Sequence, residues 1–137
     1  MENFLTIKQI DEAADAIRAK ITIAPKAGMI LGSGLGDLAH SVENPVIIPY
    51  SEIPYWPVST VLGHKNQLVI GTLGGQYVMV LQGRIHFYEG YSMDRVTLPI
   101  RVMQRLGVGY LFVTNAAGAI HPEFLPGDVM LIRDQIS

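Results

Sequence analysis

The stretch NQLVIGTLGGQYVMVLQ, residues 66–82, decides the fold. Two apolar runs, QLVIGTL and QYVMVLQ, lie on either side of Gly74 and Gly75. A glycine pair between such runs is the signature of a two-residue hairpin turn, whose central positions take positive φ. The two runs are therefore antiparallel neighbours.

Working outward, AGMIL (27–31) is a short buried strand that enters the glycine-rich GSGLGD (32–37). PVIIPY (45–50) is a further strand, followed by a Pro-rich loop, SEIPYWPVS (51–59). Downstream, MDRVTLPIRVMQRL (93–106) predicts a helix stopped by Gly107. Pro99 within it should kink the helix or mark its start, because proline has no amide hydrogen to give. GYLFVTN (109–115) and DVMLIRD (128–134) predict two more strands, the first of them buried. Upstream, Ile7, Ile10, Ala14 and Ile17 recur at three- and four-residue spacing, the period of an amphipathic helix over 6–20. Thr6 and Gln9 match a capping box at its start. Hairpins mixed with strand–helix–strand passages imply an α/β fold, a mixed β-sheet flanked by helices. With no repeat, low-complexity segment or linker, residues 1–137 are expected to lie within a single domain, as its N-terminal half. The sequence stops at Ser137, just past an apolar run that would leave an edge or face uncovered. That ending reads as an interruption.

Composition narrows the function. Hydrophobic residues make up 49% of the 137 and charged residues 16%, a globular rather than a disordered balance. A net charge of −2 and a pI near 6.0 supply no basic footprint for nucleic acid. No apolar run approaches the roughly 18 residues of a spanning helix. MENFLTIKQIDEAADAI puts acidic residues where a secretory signal needs a basic region and an apolar core. The absence of cysteine excludes disulfides, thiolate metal sites and a cysteine nucleophile. A cytosolic protein fits these features best.

Four stretches could carry chemistry. GSGLGD places Gly32, Gly34 and Gly36 at a strand end, where backbone amides can approach an anion and Ser33 adds a hydroxyl. It lacks the third glycine of the dinucleotide fingerprint, where Asp37 stands, and the Lys-Ser/Thr of an NTPase loop. A tight strand-to-helix turn explains it equally well. LGHKN carries His64, which read alone is structural or merely exposed. QGRIHFYEGY (82–91) is harder to explain by packing. On extended backbone Arg84, His86 and Tyr88 face one way and Ile85, Phe87 and Glu89 the other. The first group sets a fixed cation, a titratable ring and a phenol on one surface, suited to an anion and a polyol. A solvent-facing edge is the alternative. TNAAGAI (114–120) follows a strand with small residues that admit a ligand against backbone, as at the carboxyl ends of strands in open α/β sheets, or that simply pack closely. His40 and His121 have no partner in sequence, no histidine pair has helical metal-ligand spacing, and no metal site is expected. Trp56 and its neighbouring prolines suit loop packing or a subunit contact.

Taken together, LGSGLGDLA (31–39), GHKNQLVIG (63–71), LQGRIHFYEGYSM (81–93), VTNAAGAI (113–120) and PGDVMLIRD (126–134) resemble the trimeric purine nucleoside phosphorylases in letters, order and spacing. The resemblance spans most of the chain, while members of that family are about twice as long. It implies a phosphate site of Ser33, Arg84, His86 and the Ala116 amide, with His64 on a loop closing over it. It also implies that Tyr88 lies along the ribose and that Glu89 holds His86 by a hydrogen bond. The last role requires an irregular loop, since strict alternation sends Glu89 away from His86. Asn115, Ala116, Ala117 and Gly118 would line the cleft beside sugar and base.

The implied activity is pentosyl transfer: reversible phosphorolysis of 6-oxopurine (deoxy)ribonucleosides such as inosine and guanosine, in purine salvage. Orthophosphate is then a co-substrate and nucleophile, with no further cofactor, so Ser33 is a phosphate ligand and the hydrolase reading falls away. His86, Glu89 and Arg84 would carry the catalysis. The implied partners are the nucleoside and phosphate, two further copies in a homotrimer, and a complementary C-terminal half bearing the purine-gripping residues. Methylthioadenosine phosphorylase is the neighbouring alternative. A non-catalytic phosphate-binding or assembly fragment is the alternative outside enzymes.

Overall fold

The computed structural model describes residues 4–60 and 65–136. Strand β1 (Ala27–Ile30) lies near the middle of a five-stranded sheet with β2 (Glu43–Pro49), β3 (Gln67–Leu73), β4 (Gln76–Gln82) and β5 (Tyr110–Val113). The order across the sheet is β2-β3-β4-β1-β5. The predicted hairpin is the antiparallel β3–β4 pair, turning on Gly74 and Gly75 at φ of 56° and 75°. β2 extends it antiparallel, whereas β1 runs parallel to β4 and to β5. The sheet is therefore mixed, as the sequence implies.

Side-chain alternation explains why the hairpin strands are apolar almost throughout. Leu68, Ile70, Met79 and Leu81 face one side, together with both helices. Val69, Val78 and Val80 face the other, against Leu31, Ala39 and Val42. Helix α1 (Ile7–Arg18) buries Ile10, Ala13, Ala14 and Ile17, and helix α2 (Met93–Arg105) buries Leu98, Val102 and Met103 in the same cluster. The predicted capping box forms: Thr6 Oγ1 accepts from the Gln9 amide and Gln9 Oε1 from the Thr6 amide. The Leu5 amide donates to Asp94 Oδ2 at 2.8 Å, tying the entry of α1 to the first turn of α2. Trp56 joins the core and tilts against Tyr50 with ring centroids 5.5 Å apart, the packing role expected of it.

Three expectations need correction. α2 runs unbroken through Pro99, which lies mid-helix and buried, so proline marks no boundary. β5 forms but is exposed at all four positions, because it pairs only with β1 and nothing among the described residues covers its faces. Residues 128–134 form no strand. An apolar extended segment becomes a strand only when a neighbour takes its amides and carbonyls, and this one has no such neighbour among the described residues.

Candidate functional site

The carboxyl ends of β1, β4 and β5 lie side by side in the sheet. Their continuations are the three stretches singled out in the sequence: 32–37, 83–90 and 114–118. Thr114 joins them. Its amide donates to Ile30 O (3.1 Å) and its hydroxyl accepts from the Gly32 amide (2.8 Å). Its carbonyl accepts from Arg84 Nη1 at 2.7 Å. Gly32 is held so closely that a Cβ there would stand 2.6 Å from Thr114 O and 2.9 Å from Asn115 Cα, both backbone. No larger residue fits without moving the chain. Thr114 opens one of those stretches but was given no role of its own there, since a threonine ending an apolar strand gives no signal.

β4 ends at Gln82, Gly83 takes φ 112°, and the chain is extended again at His86 (φ −122°, ψ 152°) before one 3-10 turn, Phe87–Glu89, which ends at Gly90 with φ 88°. Strict alternation therefore ends at His86, and Glu89 curls back as the irregular-loop reading requires. Glu89 Oε1 accepts from the His86 amide (2.7 Å) and faces His86 Nδ1 (3.1 Å). Its Oε2 accepts from Ser59 Oγ (3.0 Å), the Thr60 amide (3.0 Å) and Thr60 Oγ1 (3.3 Å). The side chain is 4% exposed. Burial alone would push this carboxyl up. The Thr60 amide, His86 ring, His86 amide and Ser59 hydroxyl outweigh it and hold the pKa down at about 2. Glu89 is thus a fixed anion.

With a carboxylate at Nδ1, that nitrogen carries the proton, and Nε2 accepts from Arg84 Nε at 3.4 Å. Arg84 and His86 are accordingly brought together, both half-buried. Tyr88 is exposed and stacks its ring on His86, with centroids 4.8 Å apart and planes 15° from parallel. Ser33 is exposed, directly after the Gly32–Thr114 contact. Asn115, Ala116, Ala117 and Gly118 form an exposed irregular segment, within which Asn115 Nδ2 donates to Ala116 O (3.3 Å). His64 lies outside the described residues. On the helix side, an apolar cavity of about 160 Å³ reaches from Gly83, Arg84 and Ile85 to Trp56, Val96 and Pro99.

His40 and His121 stand apart from this cluster. His40 faces Lys65 Nζ (2.7 Å) and Asp37, and His121 packs edge-on against Phe124. Among the described residues no cluster of three His, Cys, Asp or Glu side chains could hold a metal. No helix in them is long and apolar enough to cross a membrane. The arrangement joins an arginine, an imidazole held by a buried carboxylate and a glycine-rich strand end. Such a set is chemically suited to an oxyanion.

The chain is similar to known proteins over most of its length. The chain is 57% identical over 129 residues to purine nucleoside phosphorylase 1 of Bacillus subtilis (strain 168), covering 94% of this chain and 48% of that protein. It is 47% identical over 137 residues to purine nucleoside phosphorylase of Rattus norvegicus, covering 100% and 47%. The crystal structure of the Schistosoma mansoni purine nucleoside phosphorylase in complex with inosine superposes with a TM-score of 0.81 at 46% identity, covering 90% of this chain and 43% of that one. The chain thus spans about half the length of the curated relatives it matches. A sequence profile described as the Phosphorylase superfamily matches residues 26–137, which takes in all five strands and every candidate site residue, so the chain belongs to that superfamily.

Proposed function

We propose that these residues are half of a purine nucleoside phosphorylase, the half that holds phosphate and part of the ribose cleft. The observation that carries this reading is the Arg84–His86–Glu89 cluster, tied through Thr114 to the strand end that bears Ser33. In the whole enzyme, an orthophosphate oxygen attacks the ribose anomeric carbon as the bond from that carbon to the purine nitrogen breaks. The electron pair leaves with the base, which takes up a proton. Phosphate is already a nucleophile, so the protein supplies position and charge. Arg84 gives donors that remain protonated. His86 Nε2 accepts from a protonated phosphate oxygen, or donates as imidazolium to the dianion, while Glu89 balances its charge. Holding phosphate and nucleoside in attack geometry is worth about 7–11 kcal/mol of barrier, and the anion stabilises the developing sugar cation.

Ser33 and the Ala116 amide complete this part of the phosphate site, and His64 closes over it. Tyr88, stacked on His86, lies along the ribose, and Asn115, Ala116, Ala117 and Gly118 line the cleft. The substrates are 6-oxopurine (deoxy)ribonucleosides such as inosine, consistent with the inosine in the Schistosoma mansoni structure. The assembly is a cytoplasmic homotrimer acting in purine salvage, complete only with a C-terminal half. No cofactor beyond orthophosphate is needed.

The test is hypoxanthine release from inosine and phosphate, by the chain alone and mixed with a complementary half. Turnover only in the mixture supports the proposal. No turnover in the mixture, together with no phosphate binding by calorimetry, would overturn it. The half-length match also favours a second reading, a phosphate-binding assembly fragment without turnover. Phosphate binding with no hypoxanthine from either preparation selects that reading. Faster turnover of methylthioadenosine than of inosine selects the related phosphorylase.

A further inference from the structure

The buried carboxylate of Glu89 divides its two oxygens between two segments. Oε1 takes both His86 contacts, and Oε2 takes Ser59 Oγ, the Thr60 amide and Thr60 Oγ1. The terminal torsion of a glutamate is soft and roughly two-fold. A carboxylate held only by His86 could rotate, whereas one pinned at Oε2 must keep Oε1 on the imidazole.

The pinning segment is itself clamped. Asn66 Oδ1 accepts from the Ser59 amide and Asn66 Nδ2 donates to the Ser59 carbonyl, each at 2.9 Å, as a neighbouring strand would. Asn66 does this at φ 52°, a left-handed conformation that asparagine tolerates better than most residues. Its own carbonyl accepts from the Tyr50 amide (2.9 Å). The Tyr50 hydroxyl, in a residue only 2% exposed, donates to Gly83 O at 2.6 Å. The segment supplying donors to Glu89 and the segment carrying Glu89 are therefore hung from the same buried tyrosine.

We propose that Ser59, Thr60 and Asn66 are positioning residues: they orient Glu89 so that it holds His86 in the Nδ1–H tautomer, with Nε2 turned toward the anion. The anion role rests on the phosphate site proposed above; the tautomer does not. The charged groups that the described residues place against His86 are Arg84 and Glu89.

The test uses the folded chain and inorganic phosphate. Nitrogen shifts of the His86 ring report the tautomer, and the Glu89 carboxyl carbon followed against pH reports the pinning. In Ser59→Ala/Thr60→Val the tautomers mix, the Glu89 carboxyl titrates at higher pH than in the parent, and phosphate binds about three- to tenfold more weakly, since bonds to charged groups are the stronger class. Asn66→Gly, which keeps the left-handed backbone and removes the amide, moves the same signals. Thr60→Ser, which keeps the hydroxyl, restores them. Should the double variant not fold, Thr60→Val alone, at an exposed residue, carries the measurement. An unchanged tautomer and an unchanged Glu89 curve in a folded variant overturn the inference, whatever phosphate does. If both signals shift but neither variant nor parent binds phosphate, the positioning stands and the phosphate reading fails.

Discussion

At Arg84 a single side chain does two things. One guanidinium nitrogen ties the 83–90 loop to the end of β5 through Thr114 O, and another faces His86. Arg84→Ala should lower phosphate affinity by more than tenfold, taking about 1.5–3 kcal/mol for a charge-assisted bond. Arg84→Lys should recover only part of it, since lysine lacks the planar fork. Near-parental affinity in the alanine variant, measured by calorimetry on folded protein, removes Arg84 from the site. Glu89 predicts a pH dependence. Its folded pKa of about 2 lies below the ordinary 4.5, so the folded chain binds this proton less readily than the unfolded one. The stabilisation is complete above 4.5 and is lost as pH falls toward 2. The stability gap between parent and Glu89→Gln in urea should therefore be constant near neutrality and close across that window. A gap that widens on acidification contradicts the assignment. Arg84 and His86 were legible in the sequence because neighbours two apart share a face of extended chain. The Glu89 partners Ser59 and Thr60, about thirty residues earlier, were not, because only the fold brings them together.

Among the elements, those written in adjacent residues read most clearly. The capping box of α1 and the Gly74–Gly75 turn each need only a few neighbouring positions, and both form as expected. The turn makes its own prediction, because a Cβ at either glycine meets open space and only backbone conformation decides the outcome. Gly75→Val should cost about 1–2 kcal/mol, the penalty of placing a β-carbon in left-handed backbone. Gly74→Asn should be neutral or gain up to about 1 kcal/mol, through a less flexible unfolded chain. Urea midpoints of the two variants check the order; a valine variant as stable as the parent would show that the turn is not under this constraint. β5 and 128–134 read less well for a related reason. Apolar composition states that a segment prefers cover, not that cover is present. Tyr110, Leu111, Phe112 and Val113 are each exposed despite their letters. Pro99 shows the converse, since burial in the α2 core accommodates a residue that local preference would place at an end.

For the molecule as a whole, exposed large apolar residues are frequent from β5 onward. The open edge of β5 is followed by exposed Ile120, Leu125, Val129, Leu131 and Ile136. Exposed apolar residues in such number mark an interaction surface or an aggregation liability. The isolated chain should bind a hydrophobic dye and grow in size with concentration in light scattering. A complementary half should suppress both. A monodisperse monomer that leaves the dye dark would contradict the exposure. The parallel pairings of β1 carry one last consequence, in the order of events during synthesis. β1 finds its neighbours at 78–81 and 110–113, far along the chain, whereas β3 finds β4 across two residues. The hairpin can zip as soon as it leaves the ribosome, while the strand beneath the glycine-rich loop waits. At roughly 5–20 residues per second, that wait lasts seconds. Among the strands β1 is the first made and among the last to be flanked on both sides, and the cluster at its tip assembles only after Thr114 has arrived.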